Sequence, residues 1–533
     1  MKTIVLIFFL FLVPALSSNG EKKGFSSEHL SLLGKFNGQL YFLVKEYTSK
    51  QVILDYKNSY LNYYIKTFDK EMNLQNKLKI GENGEFIEKT GDGKQIFKVE
   101  RVIMYDGKLI LFTSNVEVLV PKTGLNMETI DPISLSYQLN RKKIMEVTSS
   151  LLIFDPPSFF FEISDDDSKL MVVGTPSFTR KKPESYSIAV FGNDLQLLWE
   201  KKIDLPYQDR EIEFSTPSVR NNGDAYLICS RGYLSKKEKE NHPEDINFTR
   251  LFEITGAGTS VLEKKIDLGI KLSSNTVIGL SGDKVRIAAL SYDDPSKCVN
   301  GCYFTNYDIQ TDKIVNQSSR YFLPGEGRVD IPKGTEWVVT GKNPDKGKAF
   351  EIKSSILDSA GNRFYCAEQA FTWEDETIIY GSYGLNNHST MIRETKGDII
   401  VFKVNPAGTI DWITRVIKVQ AFVVPKGTIN DDRVFGSYYA SMVGNHLLFV
   451  VNDNPKNLSV NSGKHYPFNG DKGYIQLITV NGEGKITKKA IAMEKMVYPE
   501  SGTQISDHEW LFKVIDASKN QSFMNIDLNK FIQ

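Results

Sequence analysis

Tyr63-Tyr64-Ile65-Lys66-Thr67-Phe68-Asp69 is an alternating strand that ends on an acid and is followed by a second strand, Leu74 to Ile80. The same phrase returns as Leu125-Asn126-Met127-Glu128-Thr129-Ile130-Asp131 before Leu135 to Val147, and as Tyr186-Ser187-Ile188-Ala189-Val190-Phe191-Gly192-Asn193 before Leu195 to Leu205. Asp69, Asp131 and Asn193 are spaced by 62 residues each. A fixed spacing between like phrases marks a repeat, each copy being one supersecondary unit that buries its faces against its neighbours.

Outward from these three copies the series continues through Leu251 to Thr255, Tyr303 to Asp308, Asp398 to Asn405 and Tyr474 to Asn481, and ends in a shortened copy, Phe523 to Asp527. Ahead of each stands another hairpin with a tight polar turn and a strongly apolar second strand. Examples are Tyr105-Asp106-Gly107-Lys108 leading into Leu109 to Phe112, and Asp165-Asp166-Asp167-Ser168 leading into Leu170 to Val173. Four strands per unit, about eight units and no convincing helix define an all-β chain folded as a single β-propeller of about eight four-stranded antiparallel blades, with seven as the alternative. The last copy lacks its outermost strand. Residues 21 to 30 precede the first inner hairpin, so pairing of the N- and C-terminal segments is the expected closure.

Residues 1–18 read as a secretory signal: Lys2, an apolar run from Ile4 to Leu16, then small residues, with Ala15 and Ser17 at the small-x-small positions. The propeller then occupies 19–533, in the periplasm or outside the cell, and no later run is long enough to span a membrane once the signal is removed. Lys+Arg and Asp+Glu both number 65. Loss of the leader leaves a net charge of about −1, which offers nucleic acid no electrostatic attraction.

Four cysteines enter that compartment. Lys297-Cys298-Val299-Asn300-Gly301-Cys302 places an Asn-Gly turn between two of them and favours a small disulfide loop worth about 2 kcal/mol. Cys229 and Cys366 sit inside apolar strand patterns and read as free buried thiols. The pair Cys298 and Cys302 has too few companions for a metal, and the Asp165 to Asp167 run is placed like every other turn of the repeat, so no metal site is expected.

The long segments mostly join a second strand to a third, namely 175–184, 231–247, 292–301, 372–397 and 452–472, and a further one, 323–348, joins a fourth strand to the next first strand, so insertion concentrates on one face of the ring. That b–c face is the expected seat of function. Polar residues at the ends of the b strands point toward it: Glu46, Arg231, Asp293, Glu368, Asn452 and Asp453, with Tyr383 and His465 in the loops. Glu368 and Asp453 are the candidate acid and base of any chemistry there; Glu46, Arg231, Asp293, Asn452, Tyr383 and His465 are candidate ligand contacts. The six histidines make no zinc-protease helix, and neither a Gly-x-Ser-x-Gly elbow nor a phosphate-binding Gly-x-x-x-x-Gly-Lys loop occurs.

Leu195-Gln196-Leu197-Leu198-Trp199 and Gly408-Thr409-Ile410-Asp411-Trp412 resemble the tryptophan-bearing repeat of quinoprotein (PQQ) propellers. Most copies lack the tryptophan and no adjacent cysteine pair is present, so no cofactor is expected. Gly397 to Lys418 and Asn452 to Leu458 resemble exported bacterial propeller-like proteins of unknown function, a likeness that implies export and fold but no activity. The sequence is therefore read as an exported non-catalytic binding or scaffold propeller, monomeric or within an envelope complex, holding a protein or glycan on its b–c face. The alternative is a hydrolase or lyase acting on an extracellular polymer.

Overall fold

The structure, a computed structural model, describes residues 26–49, 59–69, 73–82, 85–90, 93–117, 122–137, 141–148, 157–177, 183–208, 211–214, 217–231, 249–266, 276–292, 299–322, 350–380, 386–425, 435–459, 466–470, 473–505, 509–516, 518 and 521–527. The signal segment and Cys298 lie outside the described residues, as do Asp293, Tyr383 and His465.

Eight antiparallel blades form a ring. Blade 1 runs Ser26–Phe36, Gln39–Ser49, Ser59–Phe68 and Leu74–Glu82 from strand a, at the axis, to strand d at the rim. Blade 2 is built on Gly93–Tyr105, Lys108–Glu117, Lys122–Asp131 and Lys142–Thr148, preceded by an additional strand, Glu85–Thr90, which joins it to blade 1 through the pair Glu82 and Glu85. Blade 3 is Ser158–Ile163, Lys169–Thr175, Pro183–Gly192 and Leu197–Gln208. In blade 4 the inner strand is split into Ile212–Phe214 and Ser218–Val219, followed by Ala225–Arg231, Thr249–Thr255 and Ser260–Lys265. Blade 5 is Thr276–Ser281, Lys284–Tyr292, Val299–Asp308 and Lys313–Tyr321. Blade 6 is Phe350–Leu357, Arg363–Tyr380, Asn386–Val404 and Ile410–Val416; blade 7 is Tyr439–Val443, His446–Asp453, Tyr474–Val480 and Ile486–Met493. Blade 8 has a split inner strand, Lys495–Val497 and Thr503–Gln504, then Glu509–Asp516 and Gln521–Asp527. No α-helix occurs among the described residues, only two short 3-10 turns at Pro455–Ser459 and Pro499–Ser501.

The repeated acid has a local cause. At the end of strand c its carboxylate or amide oxygen accepts a backbone N–H from the turn that follows: Asp69 from Asn73 (2.8 Å), Asp131 from Ser134 (2.7 Å), Asp308 from Thr311 (2.8 Å), Asn405 from Thr409 (3.1 Å) and Asn481 from Lys485 (2.9 Å). In blade 3 the neighbour Asp194 takes the role, accepting from Gln196 (3.0 Å). The a–b turns Asn37-Gly38 and Asp106-Gly107 hold both residues at positive φ, the mirror-image turn whose twist suits a two-residue hairpin. Asp166 likewise caps its own turn through Ser168 N (3.0 Å) and Ser164 Oγ (2.7 Å).

Strand b of each blade is apolar on both faces because a neighbouring blade covers each face. Leu170 to Val173 are wholly buried, the even positions against blade 2 and the odd ones against blade 4. Strand d alternates instead, Trp199, Ile203 and Leu205 turned inward and their neighbours to solvent. Eight apolar layers therefore occupy the eight seams between blades. Trp199 and Trp412, on strand d of blades 3 and 6, reach the following blade, their indole N–H groups donating to the carbonyls of Gly223 (3.0 Å) and Gly482 (2.8 Å).

Three details differ from the sequence reading. Ser26 to Leu30 belong to strand a of blade 1 and pair with Val44 to Thr48, while the last strand of blade 8 pairs only with strand b among the described residues. Among the described residues the first and last blades meet through apolar packing of Leu40, Phe42, Val44 and Phe68 on Leu511 and through the ring of Phe68 beside that of Phe523 (6.4 Å); residues 21–25 and 528–533, on which the expected pairing also falls, lie outside the described residues. Asn300-Gly301 is not a turn but part of strand c, where Gly301 pairs with Ser291 and Tyr321; a Cβ there would stand 2.4 Å from the Arg320 carbonyl, so close strand approach explains the glycine. Residues 372–397, expected as loop, are mostly strand.

Cys229, Cys302 and Cys366 are free thiols buried in three different seams, and burial pushes each thiol up, Cys229 and Cys366 to about 12. Alkylation of the native protein is therefore expected to spare all three, and denaturation without reductant to expose them. Mass mapping reads the result; a Cys302 that stays unlabelled until a reductant is added would restore the bond to Cys298.

Candidate functional site

Strands b and c of blade 6 run 18 and 19 residues, far past the wall of the blade. From Arg363 to Glu368 strand b is a normal blade strand between strands a and c. At Gln369 the register shifts: Glu368 faces Ile399 but Ala370 faces Lys396, so Gln369 lies opposite Gly397 and Asp398. Beyond this bulge the two strands continue paired as far as Tyr380 and Asn386. A third strand, Gln420–Pro425, adds to the arm by pairing with Lys396 to Met391. The result is a three-stranded arm on the b–c face.

The root of the arm is a buried polar network. Glu368 is completely buried, and its two carboxylate oxygens take the ammonium groups of Lys418 and Lys353, each at 2.6 Å, while Ser437 Oγ donates to it at 2.7 Å. Lys418 is buried too and also donates to Gln420 Oε1 (3.0 Å). Gln420, the first residue of the third strand, passes the network on, its amide nitrogen donating to the carbonyl of Asn452 (2.9 Å) in blade 7. Asn452 is fully buried and donates to the carbonyls of Phe435 (2.9 Å) and Val497 (2.7 Å), and accepts from Val497 N (2.8 Å), which reaches blade 8. Below Glu368, Asp398 is held by Arg415 (Nε, 2.6 Å) and by the backbone N–H of Lys418 (3.0 Å).

Burial alone would push the Glu368 carboxyl up, but Lys418 and Lys353 outweigh it and hold the group below the ordinary carboxylate range. Burial draws Lys418 down from the usual lysine value against the pull of Glu368. Asp453, the partner proposed for Glu368 from sequence, is instead a loop organiser: it accepts from Asn454 N (2.8 Å), Asn457 Nδ2 (2.7 Å) and Tyr474 OH (3.1 Å). Asn452 faces inward as a bridge between blades rather than outward toward a ligand. Glu46 and Arg231 lie where expected along strands b of blades 1 and 4, paired with Asn62 and Ile212. Lys353, Lys418, Gln420 and Ser437, which complete the network, carry no local pattern beyond one signal: Lys418 interrupts the apolar run Val416 to Val419.

On the opposite face, a cavity of about 570 Å³ opens among the a–b turns of blades 3, 4 and 5. Arg220 crosses its wall, ion-paired to Asp283 at 2.5 Å with its guanidinium 4.6 Å over the ring of Tyr226, and Gln310 donates to the same Asp283 (2.8 Å). Glu162 lines the cavity from strand a, its carboxyl pushed up by burial against the opposing influence of Arg101.

Three variants test the network. Glu368→Gln leaves the Lys418 ammonium buried without its counter-ion and is expected to cost about 3–5 kcal/mol, with Glu368→Gln/Lys418→Met recovering most of the loss. Because the folded Glu368 value is depressed, its contribution is fully present above the unfolded carboxylate value of about 4.3 and lost as pH falls through the lower folded value, so the double variant should lose less stability under acid than wild type. Asn452→Ala orphans three backbone groups at about 1–3 kcal/mol each. Thermal unfolding between pH 3 and pH 7 reads all three; unchanged midpoints would refute the assignment.

No protein-family model and no curated protein matches the chain. Among solved structures it is similar to a protein of unknown function from Bacteroides caccae, 10% identical over 66% of this chain and 90% of that one, TM-score 0.28. It is also similar to the β-propeller domain of the Trilobed protease from Pyrococcus furiosus (10% identity, 86% and 97% of the two chains, TM-score 0.34) and to the WD40 domain of SCAP from fission yeast (9%, 91% and 95%, TM-score 0.34).

Proposed function

We propose that this protein is an exported binding or scaffold propeller that holds a protein or glycan partner on its b–c face, in the periplasm or outside the cell. The observation that carries the reading is the blade 6 arm: a ring of rigid blades supports a projecting sheet whose root is fixed to blades 7 and 8 by buried polar contacts. Binding surfaces are commonly carried by such excursions from a rigid scaffold. Export rests on the leader-like first 18 residues. The alternative, an enzyme cutting an extracellular polymer, needs Glu368 to exchange a proton with substrate. A wholly buried carboxylate kept ionised by two lysines has no proton to give at neutral pH and no open side from which to take one.

The experiment is affinity capture of the full-length protein from its native envelope, beside a variant in which residues 371–395 are replaced by a tight turn. Wild type is expected to bring down one stoichiometric protein or glycan, and the shortened variant to lose it while melting within a few degrees of wild type. The same partner retained by an intact, armless ring would overturn the proposal.

A further inference from the structure

The seam between blades 5 and 6 carries two arginines of the same kind on its two sides. Arg286 lies on strand b of blade 5 in line with Ala288 and Leu290, both of which pack into the apolar layer shared with blade 6. Arg363 lies on strand b of blade 6 in line with Tyr365 and Ala367, which pack into that same layer from the other side. Period-two alternation therefore aims both guanidinium groups into the seam. Both are near the start of strand b, so both sit at the short-turn face, away from the arm.

Among the described residues Arg141 pairs with Glu128, Arg220 with Asp283, Arg250 with Glu263 and Arg415 with Asp398, and Arg320 donates to the carbonyl of Asp411. Arg286 and Arg363 have no ion pair among the described residues. Arg363 donates one bond, to Ser355 Oγ (3.0 Å), and its Nε is buried with nothing to donate to. Burial and then Arg363 draw the Arg286 guanidinium below its usual value, and the carboxylate that opposes this, Asp165, acts from the neighbouring cavity rim without forming an ion pair. Tyr365 shares the seam with them, its hydroxyl pushed up to about 12 by burial despite both arginines, so it supplies no counter-charge at neutral pH. Asn306, cross-strand from Arg286, adds a second polar side chain on this side of the seam.

Two cations aimed into one seam, with unused guanidinium donors and no ion-paired acid among the described residues, form an incomplete arrangement, since guanidinium groups bind oxyanions through paired N–H groups. We propose that Arg286 and Arg363 form an oxyanion site, binding a phosphate, sulfate or carboxylate group at the turn-face end of the blade 5 and 6 seam. The group is supplied either as a free ion or on an acidic polysaccharide. This is a different face and a different chemistry from the arm.

Isothermal titration of the full-length protein with inorganic phosphate, inorganic sulfate and a sulfated oligosaccharide, at constant ionic strength set with chloride, tests it. Binding at about 1 mM or tighter is expected, weakened about tenfold or more in Arg286→Gln and in Arg363→Gln. Tighter binding of the oligosaccharide than of free sulfate identifies the polymer as the source; equal binding identifies the ion. A second readout is thermal: Arg286→Gln removes one of two like charges and should raise the melting temperature in chloride while abolishing the rise that phosphate causes in wild type. Sulfate and phosphate also strengthen folded states without binding, but that effect would persist in the variants. No oxyanion binding by wild type, or binding unchanged in both variants, would overturn the site.

Discussion

A blade whose second strand is apolar on both faces cannot stop at two neighbours in a row; it requires one on each side, and a chain of such blades has no stable end except closure. Phe364 and Cys366 pack toward blade 7 while Tyr365 and Ala367 pack toward blade 5, and the same division recurs around the ring. Open sheets protect their edges with charge or short strands, whereas here the exposed faces of a terminal blade would each leave a row of large apolar side chains in water. The seam between blades 8 and 1 shows how little suffices. Among the described residues Leu511 is the one buried apolar residue that blade 8 contributes to this layer, and Leu40, Phe42, Val44 and Phe68 find cover there. Apart from blades 1 and 2, which share one ladder, the described blades are separate sheets, so their seams are held by side-chain contacts.

What could be read from sequence was whatever repeats. The acid at the end of strand c recurs because each c–d turn needs an acceptor for its own N–H groups, and a need met by one local side chain leaves a spaced mark such as Asp69, Asp131 and Asn405. Strand b was legible because burial on both faces removes polar residues, as in Leu109 to Phe112. The arm was not legible. Its strands include Glu374-Asp375-Glu376 and Asn386-Asn387-His388, and a sheet that projects from the ring has no apolar period to display. Asn300-Gly301 misled for a related reason, since glycine serves both turns and close strand contacts and the local sequence does not tell them apart. Glu368 was picked out as a strand-end acid, but its meaning depends on Lys353, Lys418 and Ser437, which only the fold brings to it.

A buried ion pair is costly to form, and replacing one with apolar groups is often neutral or stabilising, so its presence calls for a reason other than stability. The position of this one supplies it. Glu368 is the last blade residue before the register shift, Lys418 and Gln420 bracket the start of the third strand, and Gly397 lies so close to Gln369 that a Cβ there would meet its side-chain oxygen at 2.3 Å. All are at the point where the sheet leaves the ring. Apolar residues at such a junction would allow several packings, since burial has no direction. Charged hydrogen bonds at 2.6 Å fix one.

The two faces of the ring are thereby given different mechanical characters. On the turn face, each hairpin is closed by its own acid or by Gly at positive φ, and Trp199 ties a blade to the next through a backbone carbonyl, so groups there are held by short local constraints and a recognition site must be built from side chains already in place. On the b–c face the chain makes its longest excursion, and its orientation is set from Glu368 through Gln420 and Asn452 to Val497, across three blades. Tilting the arm would therefore disturb contacts in blades 7 and 8 before it strained the arm itself.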